Sequence, residues 1–271
     1  MENKYKWDFL QGKGVVTRCC DRKERLVDKM TDSFVVVDIE TTGLNPASER
    51  IIEIGAVRVR EDRIEEEFDI LIHPGRTLGS FIVELTGITD EMLTGAPDIR
   101  EGLARFLDFA KEDVLMGHHL SFDYSFLKKN IINTGGSFER KGIDTLKIAR
   151  AALPDLDSRS LERLCSYYGI INTHAHRACD DAKATAELYL RLKEEFYGKS
   201  ADMDRLFVPT PLICQVRKDS PITPAQVRYL KALLDYHKLD LGIETESLTK
   251  SEASRHIDKI ILNYGRIPAK S

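Results

Sequence analysis

The segment SFVVVDIETTGLNP, residues 33–46, constrains the fold more tightly than any other stretch of the chain. Phe34, Val35, Val36 and Val37 form the aromatic and β-branched run that suits a strand covered on both faces. The run ends in Asp38 and Glu40, which stand two residues apart and so project from one face, while Val37 and Ile39 project from the other. At an effective dielectric of about 20, two carboxylates about 5 Å apart repel by roughly 3 kcal/mol, so a fold keeps such a pair where a cation or a shared proton compensates. Carboxylate oxygens match Mg²⁺ or Mn²⁺. Taken alone, the segment also fits a solvated strand end with two unrelated acids.

Two later segments bear on that choice. GHHLSFDYSFL, 117–127, leaves an apolar strand and enters a helix with Asp123 near its start, where Phe122, Phe126 and Leu127 anchor the turn to a core. HAHRACDDAKATAELYLRL, 174–192, places His176 in a loop and Asp181 on an amphipathic helix whose Ala182, Ala186, Tyr189 and Leu190 can pack. Both acids stand where packing would hold them still.

Residues 51–60, IIEIGAVRVR, and 64–72, IEEEFDILI, read as strands around a turn at Glu61, Asp62 and Arg63, which with 34–39 gives a three-stranded antiparallel start. Helical spacing follows over 99–110 and 123–134, separated by a short strand at Val114, Leu115 and Met116, and further helices are expected at 145–152, 160–168 and 180–197. This order describes an α/β layer domain over 33–198, behind an N-terminal extension of 1–32. Residues 199–222 hold three of the nine prolines and little periodicity, and read as a linker or an extended strap. A small helical hairpin is expected over 223–271. Thr223-Pro224-Ala225-Gln226 and Thr249-Lys250-Ser251-Glu252 are both capping sequences, ahead of apolar stripes at Val227, Leu230, Leu233, Leu234 and at Ala253, Ile257, Ile260, Ile261. Gly265 is placed to end the second helix.

The formal net charge of -4 divides into +3 over 1–30, -9 over 31–200 and +2 beyond. A generic nucleic-acid coat is basic, so the acidic middle argues against simple phosphate neutralisation and allows an acidic site that works through bound cations. Cys19, Cys20, Cys165, Cys179 and Cys214 are scattered without C-x-x-C spacing, which fits a reducing compartment. No apolar run approaches the roughly 20 residues of a membrane span, and the first residues lack a signal-peptide core, so a cytoplasmic protein with no membrane partner is expected.

The motifs D-I-E-T-T-G-L at 38–44, F-D-x-x-F-L at 122–127 and H-R-A-x-x-D-A at 176–182 resemble, in order and spacing, the three motifs of DnaQ-like, DEDDh-type 3'-to-5' exonucleases. LTGITDEMLTGAP, 85–97, is also similar to the proofreading subunit of bacterial replicative polymerase and the exonuclease insert of the Gram-positive replicative polymerase. The resemblance covers about 33–197. It implies a ribonuclease H-like mixed sheet with flanking helices, with Asp38, Glu40, Asp123 and Asp181 holding two divalent ions, Mg²⁺ or Mn²⁺, and His176 acting as general base. An imidazole titrates near pH 6.5 and can take a proton from water at neutral pH. His174 with Asp180 is a rival pair, but only His176 with Asp181 has the family's five-residue separation. His118 and His119 depart from the usual Gly-His-Asn, and hydrogen bonding rather than ligation is expected of them, because hard cations prefer oxygen. Thr41, Gly43 and Leu44 follow the acids, where they are expected to meet the terminal nucleotide, although a plain turn would use the same residues.

The implied activity is release of nucleoside 5'-monophosphates from single-stranded DNA 3' ends, in proofreading, repair or recombination, with a DNA polymerase or another replication or recombination protein as partner. Trimming of RNA by the same fold is the alternative, since no residue visibly reads or rejects a 2'-OH. A non-catalytic nucleic-acid or polymerase binding module is a further alternative, disfavoured by the presence of all five functional positions. None of those positions lies beyond 198, so a chain ending near Gly198 is expected to keep cutting a short oligonucleotide while losing a protein partner or affinity for longer DNA; a tail that merely completes the core is the alternative.

Overall fold

The computed structural model describes residues 33–242 and 244–268; the expected N-terminal extension 1–32, with Cys19 and Cys20, lies outside the described residues. The strands are β1 (Ser33–Thr41), β2 (Ile51–Arg60), β3 (Arg63–Leu71), β4 (Val114–Gly117), β5 (Lys141–Asp144) and β6 (Thr210–Pro211). The helices are α1 (Ser80–Thr86), α2 (Asp90–Leu93), α3 (Ile99–Ala110), α4 (Leu120–Asn133), α5 (Thr145–Ala152), α6 (Leu161–Tyr168), α7 (Ala178–Phe196), α8 (Ala201–Leu206), α9 (Pro224–His237) and α10 (Lys250–Tyr264). The strands form one mixed sheet in the order β3-β2-β1-β4-β5-β6. The valine strand β1 is central, antiparallel to β2 and parallel to β4. No helix among the described residues is long and apolar enough to cross a membrane.

Alternation along β1 divides the core into two layers. Phe34 and Val36 pack with Ala182, Ala186 and Tyr189 of α7, while Val35, Val37 and Ile39 pack with Phe106 of α3 and Tyr124, Phe126 and Leu127 of α4. Each such side chain removed from water contributes about 1.5–3 kcal/mol, which fixes the register of β1 and directs Asp38 and Glu40 to the α7 face. Gly55 of β2 pairs with Asp38. A Cβ there would lie 2.0 Å from the backbone nitrogen of Cys179 and 2.1 Å from the carbonyl carbon of Ala178. Only glycine lets the first turn of α7 approach the sheet beside Asp38.

The segment 199–222 is tied to the sheet domain as a strap and is not a free linker. Ser200 caps α8, Phe207 is fully buried against Tyr189 and Tyr197, and Thr210 pairs with Gly142 at the sheet edge. Leu212 continues the pairing, its N–H donating to Arg140 O at 2.8 Å. A two-residue edge strand that follows Pro209 and includes Pro211 carries no alternation to read, which is why the pattern missed it. Farther on, Lys129 of α4 reaches Asp219 at 2.6 Å, and Asn133 and Asp219 exchange hydrogen bonds of 2.8 and 2.9 Å.

Both capping boxes are present, at Thr223 with Gln226 and at Thr249 with Glu252. Helices α9 and α10 enclose a separate small core of Leu230, Leu233, Leu248, Ala253 and Ile260. This hairpin meets the sheet domain through an ion pair between Arg50, in the β1–β2 loop, and Glu252.

These contacts revise the expectation for shortening the chain. Ending it after Gly198 removes Phe207 and β6, and deleting one buried aromatic costs about 3–5 kcal/mol, equivalent to roughly 10 °C of melting temperature for a domain of this size. Ending it after Ser220 retains both. Thermal unfolding followed by circular dichroism is expected to show the loss only in the first case; equal melting temperatures would show that β6 and Phe207 are dispensable.

Candidate active site

Three elements converge at the C-terminal end of β1. The strand itself presents Asp38 and Glu40. Helix α4 begins just after β4, through a left-handed turn at His119 (φ +74°), whose N–H donates to Asp144 Oδ1 at 3.0 Å. That turn sets Asp123 in the first turn of α4, where it is 3% exposed and its Oδ1 accepts the Ile39 N–H at 3.2 Å. Ile39 is the residue between the two strand acids, so Asp123 is tied directly to their backbone. From the opposite layer, α7 delivers Asp181. Its Oδ1 accepts Asn172 Nδ2 at 2.5 Å and its Oδ2 accepts the His176 N–H at 3.1 Å.

The electrostatics record the crowding. The Asp38 carboxyl is held well above the usual range, first by burial and then by the charges of Asp123, Asp181, Glu40 and Glu53. Glu40 is pushed up to about 8, again by burial first, followed by Asp181, Glu53 and Asp123, with Arg177 pulling the other way. Burial likewise raises Asp123 and Asp181, against hydrogen bonds that favour their ionised forms. A site of this kind accommodates protons or metal cations. The metal reading has its own geometric support, because ligating atoms of Glu40, His176 and Asp181 all lie within 4.8 Å of one another.

The sequence reading passed over Glu53. This glutamate is fully buried on β2, opposite Glu40 in the ladder. It accepts Arg177 Nε at 2.9 Å, Arg177 Nη2 at 2.6 Å and the Ala178 N–H at 2.8 Å. One carboxylate thus clamps the residue after His176 and satisfies an orphan N–H at the start of α7. Asp69 lies 3.9 Å from the same guanidinium and is pushed up to about 6, by burial and then by Glu53. The available signal was an acid interrupting the otherwise apolar run IIEIGAV.

The two histidine pairs separate. His174 Nδ1 lies 2.8 Å from Asp180 Oδ2, apart from the group formed by Glu40, His176 and Asp181. His176 is exposed, with left-handed φ (+65°). His118 uses both ring nitrogens, 2.9 Å from Thr145 Oγ1 and 2.8 Å from Arg159 O. The His119 ring stacks near Phe122. The Thr41 hydroxyl donates to Gly43 O at 2.7 Å, and Leu44 is 85% exposed on the loop that follows.

Comparison with known proteins places this geometry. A family model described as Exonuclease matches residues 35–189. The DNA polymerase III PolC-type protein of Caldanaerobacter subterraneus subsp. tengcongensis is 42% identical over 162 residues, 60% of this chain and 12% of that protein. The DNA polymerase III subunit epsilon of Aquifex aeolicus is 36% identical over 177 residues, 65% of this chain and 88% of that subunit. The chain therefore spans about an eighth of the length of the PolC-type relative. Exonuclease X, solved with 5' overhanging duplex DNA, superposes with a TM-score of 0.52 at 24% identity, covering 64% of this chain and 99% of that one. The nuclease domain of 3'hExo, a DEDDh family member bound to rAMP, gives 0.54 at 22% identity, covering 60% and 92%. The fold is that of these exonucleases: a ribonuclease H-like mixed sheet with flanking helices, here followed by two C-terminal helices.

A raised carboxyl pKa means that the folded state holds protons that the unfolded chain, with acids near 4.5, has released. With metal removed, stability is therefore expected to fall as pH rises from about 5 through about 8, the range set by Glu40. His118, whose pKa burial lowers, acts in the opposite sense around pH 6.5, so the comparison with Asp38→Asn isolates the cluster. In EDTA at pH 8, Asp38→Asn should melt higher than the native protein and show a flatter pH profile. Identical profiles for the two proteins would remove the repulsion from the account.

Proposed function

The chain belongs to the exonuclease family, and from that premise we propose that it is a metal-dependent 3'-to-5' exonuclease that releases nucleoside 5'-monophosphates from single-stranded DNA ends. The observation that carries this reading is the convergence of Asp38, Glu40, Asp123 and Asp181, with elevated proton affinity, beside His176. An all-oxygen carboxylate set fits Mg²⁺ or Mn²⁺, and four acids supply enough charge for two such ions. Bound there, the ions would supply the charge that activates a water and offsets the negative charge of the departing 3'-oxygen.

The remaining roles fall to the chain. His176 takes the proton of the attacking water on a ring nitrogen. Its main chain is fixed by Asp181 and, through Arg177, by Glu53, while its exposed ring is free to turn onto the substrate. Leu44 stands out from the loop after the acids as an apolar wedge for the terminal nucleotide, and Thr41 with Gly43 holds the turn that presents it. DNA is favoured over RNA because the sequence relatives are DNA polymerase III proteins. In the PolC-type relative the matching segment is part of a much longer chain, which supports a role beside a polymerase in proofreading or repair.

His176→Ala is expected to keep its fold and ion binding while losing roughly 10²- to 10⁴-fold in rate, the usual contribution of one general base. Asp181→Asn should instead weaken ion binding, and His174→Ala should cut at nearly the native rate. A slower His174→Ala than His176→Ala would reassign the base. Activity surviving exhaustive chelation would exclude the metal reading, and faster digestion of a matched RNA than of the DNA oligonucleotide would exclude the DNA assignment.

A further inference from the structure

A cleft of about 390 Å³ separates the sheet domain from the helical hairpin, on the side of the β1–β2 loop. Its walls include Pro46 and Ala47 of that loop, Lys129 of α4, Arg217 and Lys218 of the connecting segment, and Lys250 at the start of α10. The charge is unbalanced. Asp219 is the acid in the lining, and it is engaged by Lys129 at 2.6 Å and by Asn133 at 2.8 Å. Arg217, Lys218 and Lys250 are exposed, and no ion pair engages them among the described residues. A chain whose residues 31–200 carry a net charge of -9 here gathers cations.

The cleft is also braced. Lys129 Nζ donates to Arg217 O at 2.7 Å, the Lys250 N–H donates to Ser220 O at 2.8 Å, and Ile222 bonds to Leu248 at 3.0 Å. The ion pair of Arg50 with Glu252 holds the hairpin against the β1–β2 loop. These bonds fix the backbone from which Arg217, Lys218 and Lys250 project, so a ligand need order only their side chains on binding. Their place is informative. Lys129 lies six residues beyond Asp123 on α4, about 9 Å along the axis at 1.5 Å per residue, and Pro46 and Ala47 share the loop that carries Leu44.

We propose that this cleft binds backbone phosphates of the substrate strand upstream of its 3' end, so that the C-terminal hairpin completes the strand-binding track. The inference rests on the exonuclease reading. A phosphodiester backbone supplies regularly spaced, sequence-independent anions for Arg217, Lys218 and Lys250. On this proposal a dinucleotide whose end occupies the carboxylates leaves these cations empty, whereas a strand of about 12 nucleotides extends to meet them.

The test compares the full chain with Arg217→Glu/Lys218→Glu/Lys250→Glu on both substrates. For the longer strand, KM should rise about tenfold and the dependence of log kcat/KM on log salt should become shallower by about 2, the value for three lost contacts on a single strand. Turnover of the dinucleotide and kcat should not change. Lys238→Glu, at the far end of α9, should behave as native, and Lys218→Ala should give a smaller shift in the same direction without altering the melting temperature. Equal KM changes for both substrates, no change for either, or an effect confined to inhibition by free nucleoside monophosphate would overturn the proposal. If the native protein cuts neither substrate, the exonuclease reading itself fails. Fluorescence anisotropy of the labelled strand in EDTA then still decides on the cleft: weaker binding by the triple variant supports it, and equal binding removes it.

Discussion

Four carboxylates at the end of one buried strand repel one another, and much of the architecture around them serves to hold that arrangement. Burial alone would neutralise them, as the raised proton affinities of Asp38, Glu40, Asp123 and Asp181 record. The two-layer core resists their separation, because β1 is fixed by apolar side chains alternating into both helical layers. A strand slip of one residue would turn the acids to the α4 layer and exchange the side chains that fill the two layers, so the register that makes the core also makes the site.

Backbone contacts carry the same constraint into the chemistry. Asp123 is fastened to Ile39 N–H, and the first turn of α7 reaches the sheet only because position 55 lacks a side chain. Glu53 then converts that approach into a fixed geometry, binding Arg177 and the Ala178 N–H immediately after His176. A buried acid is costly unless it is paired, and here its pairing locates the loop that bears His176. The proposed roles divide along the same line, with cation holding assigned to the buried acids and proton transfer to the exposed His176.

Much of this was legible in the chain. Strands β1–β4 and helices α3–α7 followed from period, the two C-terminal capping boxes from four-residue signatures, and the choice of His176 with Asp181 over His174 with Asp180 came from the family resemblance. What escaped was short or relational. Strand β6 has two residues and no alternation, and the four-residue β5 and α2 and the seven-residue α1 lack the length for a clear period. Glu53 looked like ordinary punctuation in a strand, since its meaning lies in Arg177, 124 residues away. Gly55 likewise gains its role only from a helix that folds across it.

The central claim is that the carboxylate cluster is a divalent-cation site whose acids stay partly protonated until ions arrive. Calorimetric titration of the metal-free protein with Mn²⁺ at pH 7, repeated in buffers of different ionisation enthalpy, measures ions bound and protons released together. The account predicts two ions per chain with net proton release, which Glu40 with a proton affinity near pH 8 must contribute, and loss of both signals in Asp38→Asn. Binding without proton release, or binding that Asp38→Asn leaves intact, would contradict it.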